Sequence, residues 1–429
     1  DVTISGASSV TSTTSGEGRA GDIDVMTERM ALTDGGAMMT SSGAGGNAGN
    51  VTIASLASPA QSVLIDGPDS GIFTDTQGTG AGGNISIDAW QFALSNQATL
   101  SAQTAGSGNA GNITVMASSF SMSERALIST GTDKGTTGHG GNISVQADEV
   151  LLTDNARIAT NTLGSRDAGA IAITAQHRIS LTDSRMNSST FAFTGKPEGG
   201  QGGQITLHAP TIDISNSQIV SLSQSSGSAG NVLLETAHLT LDASELTASA
   251  LSSGKGGDIT IRGLTDAGSS AEQVALMGAS QVLSETAHTR KGGTIDIQTA
   301  QLMMQDNSLI STSSQGEGTV GNAGNVTLNA GQSLRVTSGS VIQSGSFALS
   351  EGNAGTITVT APAITLDAGT ISTTTEFAGS AGTVMIKTNS LTVQNGGQIA
   401  SSSVIVDEIP TGAAGNITIQ GLAGPAQSV

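Results

Sequence analysis

One phrase limits this chain more than any other feature. It reads GNAGNVTI at Gly46 to Ile53, GNAGNITV at Gly108 to Val115, GNAGNVTL at Gly321 to Leu328 and GNAGTITV at Gly352 to Val359. The glycine that closes the phrase falls at Gly21, Gly49, Gly83, Gly111, Gly141, Gly169, Gly203, Gly230, Gly257, Gly293, Gly324, Gly355, Gly382 and Gly415, fourteen copies spaced 27 to 36 residues apart. A period of this size marks a solenoid, propeller or array, in which each unit buries its apolar face only against its neighbours.

Each unit holds three short pieces with strand character. The first follows the glycine and alternates, as in Ile113 and Val115, Ile143 and Val145, Ile259 and Ile261. The second is L-x-L-like: Phe92 and Leu94, Val150 and Leu152, Leu239 and Leu241. The third carries one aliphatic per unit, among them Val10, Met39, Ile72, Leu100, Ile128, Ile158, Leu309 and Ile371. Period-two alternation over four to six residues means strands with one buried face, and helical spacing is nowhere sustained. A propeller blade needs four antiparallel strands, one more than the unit supplies. The expectation is an all-β parallel β-helix, three short strands per turn of about 30 residues, in about 14 turns that cover 1–429 as one continuous repeat region.

Two residues after each third-strand aliphatic stands a small residue, such as Ser12, Ser41, Thr74, Thr130, Thr160 or Ser311. Ser or Thr returns two residues later in twelve of the fourteen copies, with Gly43 and Ala250 the exceptions. Stacked at about 4.8 Å, such residues form hydroxyl ladders. The GNAGN phrase is then a corner turned once per coil, where Gly supplies the positive φ a sharp turn demands. Asn50, Asn84, Asn112 and Asn142 follow the glycine on four consecutive rungs and stack as an Asn ladder. A second corner, between the second and third strands, uses Asp, Asn, Ser and Gly: TDGG at Thr33, TDNA at Thr153, QNGG at Gln394. Loop length varies at the third corner, as in TGTDKGTTGHGG before Asn142 and TFAFTGKPEGGQGG before Gln204, and that edge is where function could vary.

Composition narrows the function classes. Gly numbers 59, Cys is absent, aromatics make up 2% and charged residues 11%, so the core must be thin and aliphatic. The formal charge is −19, with 15 Lys and Arg scattered singly, which disfavours nucleic acid and anionic membrane surfaces. No apolar run spans a bilayer, and zero Cys excludes disulfides and thiolate-held metals. The repeated acids Asp34, Asp154, Asp183 and Asp306 sit at the second corner and read as turn residues; structural calcium at stacked corners is the one cofactor they leave open. His139, His177, His208, His238 and His288 are scattered without metal spacing. Phe191, Phe193, Trp90 and Phe347 could mark contacts, with Trp90 and Phe347 equally suited to loop packing. Flat Thr arrays that order water are disfavoured, because the positions between the ladders are irregular: Thr40, Phe73, Ser101, Ala159, Val220, Ile310, Gln343. No residue is singled out as catalytic, cofactor-binding or metal-ligating, and the expectation is that the chain is not an enzyme.

These repeats resemble the repeat region of filamentous-haemagglutinin-like two-partner secretion exoproteins, the large bacterial surface adhesins; the likeness covers the whole chain, though the amino-terminal secretion domain of that family is not evident. The resemblance implies a right-handed β-helical shaft, export through an outer-membrane partner and display on the surface of a Gram-negative cell. The expected role is an extracellular structural and adhesive shaft whose variable loops touch other cells, matrix or glycans; the alternative is a polysaccharide-binding or polysaccharide-cleaving β-helix. GNAGNVTIASLASPAQSV (Gly46 to Val63) matches GAAGNITIQGLAGPAQSV (Gly412 to Val429) at thirteen of eighteen positions. Both ends fall at second strands without a polar cap, so the reading predicts a slice of a longer rod or a unit that associates end to end.

Overall fold

The computed structural model describes residues 1–56, 59–191, 199–287, 290–316, 321–347, 350–376, 378–404 and 412–422. Every element among them is a strand, and the strands lie in stacked parallel coils, a β-solenoid of about 14 turns and about 29 residues per turn. The chain falls into two compact units, Asp1–Leu207 and His208–Val429.

In the first unit the third strands stack in chain order: Ser9–Thr14, Ala37–Ser42, Gly71–Phe73, Thr99–Ser101, Leu127–Ser129, Arg157–Ala159 and Arg185–Thr190. The second unit stacks seven more, from Gln218–Ser223 to Gln398–Ser403. Every rung pairs with the equivalent residue one coil away. Ile113 lies opposite Ile85 and Ile143, and Ile143 opposite Ile171; Val232, Ile259, Ile295, Val326 and Ile357 continue the pattern in the second unit. All of these are buried. Each such side chain contributes about 1.5–3 kcal/mol by leaving water, so a thin core suffices when it is repeated. Phe92 and Phe120 share one rung column and stack with ring centroids 5.1 Å apart.

In several coils the first two pieces run on as one strand, as in Ile85–Ser95, Ile113–Met122, Ile143–Leu152 and Ile171–Thr182. In others the chain breaks between them. At Thr236 the hydroxyl bonds the Pro210 carbonyl at 3.0 Å and the His238 carbonyl at 2.9 Å, holding the break between Val232–Glu235 and His238–Asp242.

The structure shifts two third-strand assignments by one residue. Met38, not Met39, pairs with Val10 and Ile72, and Met38 is fully buried. Likewise Ile310, not Leu309, pairs with Val282 and Ile342. Thr40 and Ile310 therefore point inward rather than out. At both places two aliphatics stand in tandem, so alternation alone cannot choose between them; the neighbouring coils do.

The corner glycines also do something other than expected. None of the fourteen is among the residues with positive φ. Their constraint is close approach: a Cβ on Gly49 would lie 2.0 Å from the Gly21 carbonyl oxygen, on Gly83 1.7 Å from that of Gly49, and on Gly111 1.9 Å from that of Gly83. No heavy atom fits there. The left-handed backbone belongs to the second corner, at Asp34, Asn96, Asp154, Asp183, Asn216, Asp306 and Asn395, with φ between 47° and 58°. Asn and Asp tolerate that conformation better than other side chains.

Candidate functional site

At the first corner the repeated phrase resolves into a set of coil-to-coil bonds. The Asn50 side-chain oxygen accepts the Asn84 N–H at 2.9 Å, Asn84 accepts Asn112 N–H at 2.9 Å, and Asn112 accepts Asn142 N–H at 2.8 Å. This is the expected Asn ladder. The earlier Asn of the phrase forms a second one: Asn47 accepts Ala81 N–H, Asn109 accepts His139 N–H, and Asn322 accepts Asn353 N–H, each at 2.9 Å. Where Asp replaces Asn the bond persists, from Asn50 N–H to Asp22 at 2.6 Å and from Thr294 N–H to Asp258 at 2.7 Å. Each side chain thereby satisfies a backbone donor that the strand ladder leaves unpaired.

The inner hydroxyls bond the same corners. Thr160 and Ser188 both donate to the Gly169 carbonyl, at 2.6 and 2.7 Å, and Thr312 and Ser344 both donate to that of Gly324, at 2.8 Å. The Thr of a pair reaches the glycine of its own coil and the Ser that of the coil before. Hydroxyl-to-hydroxyl contact occurs in the next column, where Thr76 donates to Thr104 at 2.9 Å. In that column Ser42, Thr132 and Thr375 have buried hydroxyls with no partner among the described residues.

The second-corner acids are turn residues. Strand register places Glu124, Asp154 and Asp183 on three successive coils. Among the described residues no group of three or more His, Cys, Asp or Glu could hold a metal ion. The histidines separate: His177 is exposed, His139 lies 3.8 Å from Asp167, and His238 lies 3.2 Å from Glu272. His288 and Phe193 fall outside the described residues.

One charged cluster was not legible in the sequence. Glu235 meets Arg262 at 2.7 Å and His208 at 3.0 Å, from positions 27 residues apart on either side. Burial pushes the Glu235 carboxyl up, but the bonds from Arg262 and His208 outweigh it and hold the group below the ordinary glutamate range. Both carboxylate oxygens are engaged, one by each partner, so the group acts as an ion pair between coils. Only the coil period, added twice, could have revealed it.

One concavity lies on the first unit. It has a volume of about 580 Å³ and is lined by two outward rows on the four coils of this unit whose first two strands are continuous, with Pro59 on the coil before them. Asp88, Met116, Gln146 and Thr174 are in register along one row. Trp90, Ser118, Asp148 and Gln176 form the other, two residues further along each strand. Ala89, Ala117 and Ala147 lie between the rows and form the floor, Ala89 and Ala147 being buried. Trp90, which could have been loop packing, stands on a strand and is 52% exposed. Phe347 is half-buried, its ring folded over Gly345 on the same strand, and Phe191 is half-buried as well.

Compared with family models, with curated proteins and with solved structures, the chain matches none. Among the described residues no helix is long and apolar enough to cross a membrane.

Proposed function

We propose that this chain is an extracellular structural and adhesive shaft, part of a bacterial surface adhesin or fibre that mediates cell attachment or matrix formation. The observation that carries the reading is the use made of the commonest phrase. Its two Asn residues and the facing Ser bind one coil to the next, its closing Gly lets the coils approach, and the facing Thr holds the corner of its own coil. Side chains that could have served chemistry serve stacking instead, and a load-bearing rod asks for that distribution. The resemblance of the repeats to filamentous-haemagglutinin-like exoproteins supports the same role.

The test uses native material from the producing cell. Antibody raised against the coils should label intact cells as strongly as lysed ones, and deletion of the segment should lower attachment to surfaces or to other cells. Labelling confined to lysed cells would overturn the proposal.

A further inference from the structure

Six polar side chains line the Trp90 groove, and none of them is used by the fold. Among the described residues Asp88, Ser118, Gln146, Asp148, Thr174 and Gln176 make no side-chain hydrogen bond or ion pair. Some outward polar residues elsewhere in the first unit are tied to neighbouring coils, as Gln103 is to Ser129 at 2.7 Å and Ser95 to Asp66 at 2.6 Å. The groove also displays the only Trp of the chain, 52% exposed, beside Met116, 40% exposed. An exposed indole keeps apolar area in water, a cost that a ligand covering its face relieves.

We propose that this groove binds a linear neutral glycan lying along the stacking direction. A pyranose ring offers an apolar C–H face and a rim of hydroxyls. The indole face of Trp90 and the thioether of Met116 suit the first. Carboxylates, amides and hydroxyls, which together both donate and accept, suit the second. Rows that repeat every ~4.8 Å set one pair of outward side chains beside each unit of a polymer of similar repeat. An extended peptide finds less here. The strands under the groove are paired on both sides, Met116 with Asp88 and with Gln146, so no backbone edge is open to β-addition. An acidic glycan would face Asp88 and Asp148 in a chain of net charge −19, with no Lys or Arg lining the groove. The inference goes beyond the shaft reading and does not depend on it, since a groove can bind sugar whether or not the chain is displayed on a cell.

Because Trp90 is the single Trp, its emission reports on the groove directly. The full chain is titrated with cello-, malto-, manno- and xylo-hexaose, with an oligogalacturonate and with oligolysine, while acrylamide quenching is followed. At least one neutral hexaose is expected to shift the emission and protect Trp90, with the oligogalacturonate and oligolysine inert. By isothermal titration that hexaose should bind at least about tenfold more weakly to Trp90→Ala, the scale of one aromatic contact, and also more weakly to Gln146→Ala. Leu151→Ala, at an exposed position outside the groove, should bind normally, and far-ultraviolet circular dichroism should match the parent in all three variants. Protection by oligolysine alone would show a site for basic peptides and overturn the proposal. So would protection by no neutral hexaose, or binding that survives Trp90→Ala.

Discussion

The carbonyl oxygen of Gly324 and the place a Cβ would take on Gly355 are 1.8 Å apart. Gly355 is therefore fixed by the coil beside it and not by its own backbone angles. Gly355→Ala must push two coils apart or bend one, at a cost of about 3 kcal/mol or more by analogy with overpacked cores. Gly16, with nothing within 4 Å of its Cβ direction and no positive φ, is the contrast: Gly16→Ala should be neutral or slightly stabilising. Urea midpoints, with amide exchange read coil by coil, check this. Equal midpoints for the two variants would refute the close-approach account.

The side chain of Asn112 predicts a different asymmetry. Asn112→Ala strands the Asn142 N–H at a corner, which should cost about 1–2 kcal/mol. Asn112→Asp keeps the acceptor and should cost less, as Asp22 and Asp258 already hold the equivalent bond on their own coils. The Asn142 amide should exchange faster in the alanine variant only. If both variants exchange alike, the side chain is not the partner that protects it.

Two threonines on adjacent coils should respond in opposite directions to the same change. Thr160 donates to Gly169, so Thr160→Val leaves that carbonyl with one donor fewer and should destabilise by about 1 kcal/mol. Thr132 is buried with its hydroxyl unpartnered, so Thr132→Val removes a desolvated polar group at constant shape and should stabilise by a similar amount, about 1 kcal/mol. Thermal or urea melting of the pair decides it, and destabilisation by Thr132→Val would reveal a partner for that hydroxyl.

Glu285 gives a pH dependence with a definite sign. Burial raises its carboxyl above the ordinary glutamate range, and the charge of Glu245 adds to this, against hydrogen bonds from Ser313 and Gln315. The folded state then holds the proton more tightly than the unfolded one. Its contribution is greatest below the ordinary glutamate range and is lost as pH rises through the raised folded value. Glu285→Gln keeps an acceptor for Ser313 and should gain stability over the parent at neutral pH, with the gain vanishing in acid. Glu235 has the opposite sign, its value being lowered, so the difference between parent and variant isolates Glu285. A gain that is constant with pH would exclude the carboxylate as its source.

What could be read in the chain and what could not follow from the same physics. Coil number, the three-piece coil and the Asn ladder were all legible, because each repeats at one period and a repeat declares its own register. Met38 and Ile310 were misread by one residue because tandem aliphatics satisfy alternation in either phase, and only pairing with Val10 or Val282 breaks the tie. The glycines were located correctly but explained wrongly, since a missing Cβ serves tight approach as well as positive φ. The Trp90 groove and the Glu235–Arg262–His208 contact were hidden because neither repeats. They depend on which non-repeating residues happen to share a row, and that is settled by loop lengths between coils.

The Asn ladder has a direction. Asn50 receives from Asn84, Asn84 from Asn112 and Asn112 from Asn142, always from the later coil to the earlier. At the same corners the main chain donates the opposite way, from Ile85 N–H to the Asn112 carbonyl and from Ile113 N–H to the Asn142 carbonyl, each at 2.9 Å. Removing the earlier coil strips a side-chain acceptor from one main-chain amide, and removing the later coil strips a carbonyl from another. A corner of this kind is fastened from both sides, so neither face of a coil can part without stranding a main-chain donor.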